Sequence, residues 1–159
     1  MLNGIFCLEG FWFGPKDRTS VQPVLDLLQR TSNIKTQYML GLVYIQKEMY
    51  AEAISIFENL YAADKSWAGA ALGYCYAKTG KKELARNVLA ELEEPDHYFP
   101  AQEKAIVYTG LNEREKAIRL LKQSYQERYA PLISIKVEPL FKDLHSAPEF
   151  IELVKQMSF

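Results

Sequence analysis

The stretch Leu72-Gly73-Tyr74-Cys75-Tyr76-Ala77-Lys78-Thr79-Gly80-Lys81-Lys82-Glu83-Leu84-Ala85-Arg86-Asn87-Val88-Leu89 decides the fold. Thr79-Gly80 is a turn signal between two runs of helical periodicity. The pattern recurs in both directions, with Ala53, Ala85 and Ala117 spaced 32 residues apart. Tyr44, Tyr76 and Tyr108 lie nine residues before each alanine, and Gly41, Gly73 and Ala105 lie twelve before. Phe57, Leu89 and Leu121 lie four after. A fixed period of this kind reads as stacked helical hairpins, each needing its neighbour to bury its apolar face.

The first unit, 34–65, predicts one helix from Ile34 to about Lys47 and another from about Tyr50 to Tyr61. Gly41 lets the partner helix approach, and Ala53 marks the closest contact, with Ile54, Phe57 and Leu60 extending the stripe. The second unit, 66–97, repeats this with Leu72, Gly73, Tyr76, Ala85, Leu89 and Leu92, and Pro95 stops its second helix. The third, about 98–129, carries Ala105, Tyr108, Ala117 and Leu121. Asn112 stands where Gly80 makes the turn, and asparagine also tolerates the left-handed conformation. Glu48 stands at that place in the first unit, which predicts a differently shaped turn there.

Leu72-Gly73-x-x-Tyr76, then Ala85 and Leu89, resembles the tetratricopeptide repeat over about 34–129. Each unit is two residues shorter than that family's usual 34, and Trp67 lies two residues early for the family's tryptophan. The resemblance implies an all-α, right-handed solenoid of three hairpins. Residues 130–159 read as a C-terminal cap. Ser146-Ala147-Pro148-Glu149 matches a capping box, with Ser146 at the N-cap. Phe150, Ile151, Val154 and Met157 then mark a final amphipathic helix. The run from Lys136 to Leu144, with Ser146, Pro148 and Phe150, resembles the ending of many bacterial tetratricopeptide regions.

Residues 1–33 differ from the rest. Gly4-Ile5-Phe6-Cys7-Leu8-Glu9-Gly10-Phe11-Trp12-Phe13 is a short apolar run that reads as a strand or an irregular segment. A helix is expected over 20–30, with Val21, Leu25 and Leu28 on its apolar face. These residues stand 32 before Ala53, Phe57 and Leu60, so a decayed first repeat is one reading. The other is a resemblance: Gly4 to Gly10, Trp12 and Lys16 to Val21 are similar to the opening of an uncharacterised bacterial domain related to caspase-like α/β folds. That resemblance implies ancestry, since no catalytic histidine–cysteine pair follows. A lone strand needs a partner for its backbone groups, which a second copy or another protein's sheet edge could supply.

A chain of 159 residues suits one domain or one repeat array with an appendage. Hydrophobic residues make up 48%, charged residues 25%, and the formal net charge is −1, so there is no basic field for nucleic acid or an anionic membrane. The N-terminal apolar run is too short for a signal or membrane helix. Two cysteines, Cys7 and Cys75, without a secretory leader suit a reducing cytoplasm. Cys75 is expected as buried packing. Cys7 has no local histidine or cationic field to activate it, so no enzyme is expected. His97 and His145 lack companions at metal-ligand spacing, so neither metal nor cofactor is expected.

In tetratricopeptide arrays the first helix of each unit lines a concave face. Carrying those positions over gives Lys35, Tyr38, Leu42 and Ile45, then Trp67, Ala70, Tyr74 and Lys78, then Phe99, Gln102, Ile106 and Thr109. The cationic clamp of the chaperone-binding members is absent, leaving an aromatic and aliphatic floor that suits an amphipathic helix or apolar peptide. The competing reading is that the N-terminal segment or a neighbouring helix covers these residues. The expected function is a cytoplasmic protein-interaction module. The alternative is an assembly or regulatory subunit whose N-terminal segment mediates oligomerisation or sheet pairing.

Overall fold

The computed structural model describes Asp26, Arg30 and residues 33–92, 100–128 and 134–157. Of Lys65, Ser66 and Trp67 it describes the backbone alone. The apolar run at 4–13, with Cys7 and Trp12, and the expected helix face Val21, Leu25 and Leu28 lie outside the described residues, as do Pro95, His97 and Phe99.

The described residues are all-helical. The helices are α1 (Ile34–Gln46), α2 (Tyr50–Ala63), α3 (Lys65–Lys78), α4 (Lys82–Leu92), α5 (Ala101–Gly110) and α6 (Arg114–Gln126). A 3₁₀ helix, η1 (Pro139–Leu144), and α7 (Pro148–Gln156) follow. Consecutive helices pack together from α1 to α4 and again for α5 on α6, while α3 lies against α5. Ala53, Ala85 and Ala117 are each 0% exposed, together with Phe57 and Leu121. Full burial at each repeat suits a small side chain in a close-packed core. Gly41 faces Phe57, and a Cβ on Gly41 would meet the ring at 2.4 Å.

The turns repeat as closely as the helices. Glu48, Gly80 and Asn112 all have left-handed backbones, with φ of 60°, 80° and 61°. In each, the next residue's N–H donates to the carbonyl of the periodic tyrosine at 2.9 Å: Met49 to Tyr44, Lys81 to Tyr76, Glu113 to Tyr108. In each, the left-handed residue donates to the carbonyl three before it, at Ile45, Ala77 and Thr109. This is the Schellman end of a helix, which satisfies carbonyls that would otherwise be orphaned. The turn at Glu48 is therefore shaped like the other two, contrary to the sequence expectation. The packing of α1 on α2 outweighs the strain, and the Glu48 side chain stays outside, 71% exposed.

The last helix corrects a second expectation. Ala147, not Ser146, occupies the N-cap of α7, and no side chain caps it. The residue before a proline is pushed out of helical geometry, and Ala147 is extended at φ −78°, ψ 127°. Its buried stripe is Phe150, Leu153 and Met157, with Val154 half-buried, whereas Ile151 is exposed.

The tail packs on more than one of the preceding helices. Besides α7 on α6, η1 packs on α5 and reaches back to α1. Ile135, Leu140, Phe141 and Leu144 are all 0% exposed and join the same core as the six preceding helices.

Candidate functional site

The candidate site is the surface made by α1, α3 and α5, the first helices of the three sequence units. The segment 134–144 occupies it. Leu42 and Ile45 of α1, Tyr74 of α3, and Gln102 and Ile106 of α5 are all buried. Tyr38 is half-buried, its ring edge-on to Phe57 at 5.5 Å. Ala70 and Thr109 are buried and Lys35 is exposed. Trp67 has no described side chain, and Phe99 falls outside the described residues. The face is thus covered from the C-terminal side. The N-terminal segment and neighbouring helices were the covers the sequence offered.

One acid anchors the segment to this face. The Asp143 carboxylate accepts from Lys78 Nζ at 3.0 Å and from Tyr74 Oη at 3.3 Å. Lys78 and Asp143 are each about a quarter exposed, at 26% and 27% of their side chains. The Lys78 ammonium also sits 5.9 Å from the Tyr74 ring centroid. Burial and the neighbouring Asp143 push the Tyr74 phenol well above its ordinary value, so it is a permanent donor. At the rim, Lys142 Nζ donates to Glu48 at 3.0 Å and lies 6.0 Å from the Tyr50 ring. An open cleft of about 410 Å³ beside Asp143 is lined by Lys78, Thr109, Asn112, Arg114, Lys142 and Ser146, among others.

The other end of the segment is less well matched. Burial pushes the Glu138 carboxyl up to about 7, with the Glu103 charge adding to the rise against a backbone hydrogen bond at Leu140. Burial also raises Glu103. Among the described residues, Glu138 Oε1 and Gln102 Oε1 have no hydrogen-bond partner. Tyr38 responds to the same surroundings: burial first, then the charges of Glu138 and Glu103, raise its phenol well above the ordinary value. Removal from water favours the protonated form of Glu138, while the Leu140 amide favours the ionised one.

Cys75 is a free, fully buried thiol that burial pushes up to about 12. It serves as packing. His145 is exposed and stacks on Phe150 at 5.5 Å. Among the described residues no cluster of histidine, cysteine and carboxylate could hold a metal, and no helix is long and apolar enough to cross a membrane.

Sequence reasoning missed Glu138 and Asp143. The partners of Asp143, Tyr74 and Lys78, lie far away in the chain, as does Glu103, whose charge bears on Glu138. The available signal was an excess of large apolar residues at Leu140, Phe141 and Leu144, ahead of the final amphipathic helix. Compared with protein-family models, curated proteins and solved structures, the chain matches none.

Proposed function

We propose that this chain is a tetratricopeptide-type interaction module: three hairpins stacked as a right-handed solenoid, acting by binding rather than by catalysis. The face of α1, α3 and α5 is its groove, and its ligand is a short peptide or amphipathic helix. A cytoplasmic, bacterial setting belongs to the same reading. The observation that carries it is the threefold recurrence of one turn, at Glu48, Gly80 and Asn112, in step with the fully buried Ala53, Ala85 and Ala117. Repeated units of this kind leave a continuous row of first helices, the surface on which solenoids hold partners. The way segment 134–144 lies there supports the same reading, since that face accommodates a short element with buried apolar anchors.

The test is a random-peptide display library selected on the full chain. Enriched peptides should lose about tenfold or more in affinity on Lys78→Glu. They should be indifferent to Lys122→Glu on the exposed side of α6. An absence of enrichment, or equal sensitivity to both changes, overturns the reading.

A further inference from the structure

We infer that the segment 134–144 is an internal stand-in for the groove's partner, and that the partner is a peptide with two adjacent large apolar residues, a spacer, an acid and a third apolar residue, which displaces the segment. The inference rests on the groove reading above.

The chemistry comes from what the face already holds. Leu140, Phe141 and Leu144 are 0% exposed, so the apolar part of the match is complete. Asp143 is the one acid of the segment with both a cation and a phenol directed at it, Lys78 at 3.0 Å and Tyr74 at 3.3 Å. Those donors stand on α3, which belongs to the groove, so they remain when the segment leaves. A vacated face would present an apolar floor with one fixed positive group. That complements an apolar peptide carrying one carboxylate and disfavours a neutral or basic one.

The polar and backbone ties of the segment are weak, so what a partner must chiefly replace is its apolar anchors, Leu140, Phe141 and Leu144. η1 is a six-residue 3₁₀ helix, a short element of poor hydrogen-bond geometry. Its rim tie, Lys142 to Glu48, joins a residue whose side chain is 71% exposed, and such pairs add little. Glu138 is half-buried, with one buried, unpartnered oxygen, and feels the Glu103 charge. A partner lacking that carboxylate avoids the mismatch. It must still outcompete a tethered segment, whose effective concentration is on the order of millimolar.

The probe is a fluorescein-labelled synthetic peptide copying residues 134–146, with Glu138→Gln in its sequence, added to the full chain. Anisotropy reports its binding, and hydrogen exchange reports the chain's own amides at 137, 138 and 141, which donate within the segment. Binding accompanied by faster exchange of those amides is expected. An Asp143→Lys chain should bind the peptide about tenfold more tightly than the parent. A peptide carrying Asp143→Lys should not bind the parent, and should bind a Lys78→Asp chain. Should Asp143→Lys fail to fold, the exchange measurement on the parent chain decides alone. If the peptide binds while the segment amides stay protected, or binds regardless of its acid, displacement is wrong and the groove reading survives on the library result. If library peptides bind the groove and this peptide binds no form of the chain, the partner chemistry is wrong.

Discussion

Replacing Glu138 with glutamine should remove most of a pH dependence from this protein's stability. In the folded chain the carboxyl titrates at about 7, against an ordinary value of 4.5. A folded value raised above the unfolded one means that the native state holds the proton more tightly. Stability from this group is then complete below the unfolded value and is lost as pH rises through the folded one. Each pH unit of separation is worth about 1.4 kcal/mol, which sets a ceiling of about 3 kcal/mol, most of it lost between about pH 5 and pH 8. Glu103, also raised by burial, acts in the same direction. Glu48 and Glu113 are held below the ordinary range by their lysine partners, Lys142 and Lys116, so they change stability only at lower pH. Urea unfolding of the parent chain should therefore give a free energy lower by about 2–3 kcal/mol at about pH 8 than at about pH 5. Glu138→Gln should flatten that difference to the small remainder due to Glu103 and should be the more stable chain at the higher pH. A parent whose stability is level across this range, or a variant that keeps the full slope, refutes a Glu138 carboxyl raised by desolvation.

Glu48→Gly should stabilise the chain by about 0.5–1 kcal/mol, because its φ of 60° strains a side chain and the exposed tie to Lys142 returns little; thermal unfolding reads it as a rise in Tm. Gly110→Ala should destabilise by about 1–3 kcal/mol, since its Cβ would meet the Tyr74 backbone Cα and carbonyl oxygen at 2.9 Å, and backbone cannot turn aside; denaturant midpoints check it. Cys75, buried and pushed up to about 12, should react with a thiol reagent only as fast as the chain unfolds, while a denaturant accelerates it.

The repeat was legible because it is a local constraint. Ala53, Ala85 and Ala117 are each fully buried in the close-packed core, where a small side chain suits, and the period shows directly in the sequence. Tyr44, Tyr76 and Tyr108 were legible as packing residues. Their other role, accepting the turn's closing hydrogen bond, is a backbone property that side-chain identity does not encode. This is why Glu48 misled: the turn's geometry is set by α1 packing on α2, and the residue at its tip tolerates the strain. Ser146 misled because a capping box can be read without weighing the proline that follows, which extends Ala147 and shifts the helix start. Leu42, Ile45, Tyr74, Gln102 and Ile106 were expected on one face by position and are buried, and their cover was not foreseen. That cover depends on Asp143 meeting Lys78 and Tyr74, 65 and 69 residues away, with no periodicity to announce it.

The most direct test of the tail's seat on α3 is a double-mutant cycle on Lys78 and Asp143. Lys78→Ala, Asp143→Ala and the double variant would be compared with the parent by urea unfolding. A seated tail predicts a coupling of about 1 kcal/mol between them, in keeping with a partly buried ion pair. Additivity within about 0.3 kcal/mol would contradict an energetic hold of Lys78 on Asp143, and with it the claim that this acid anchors the tail.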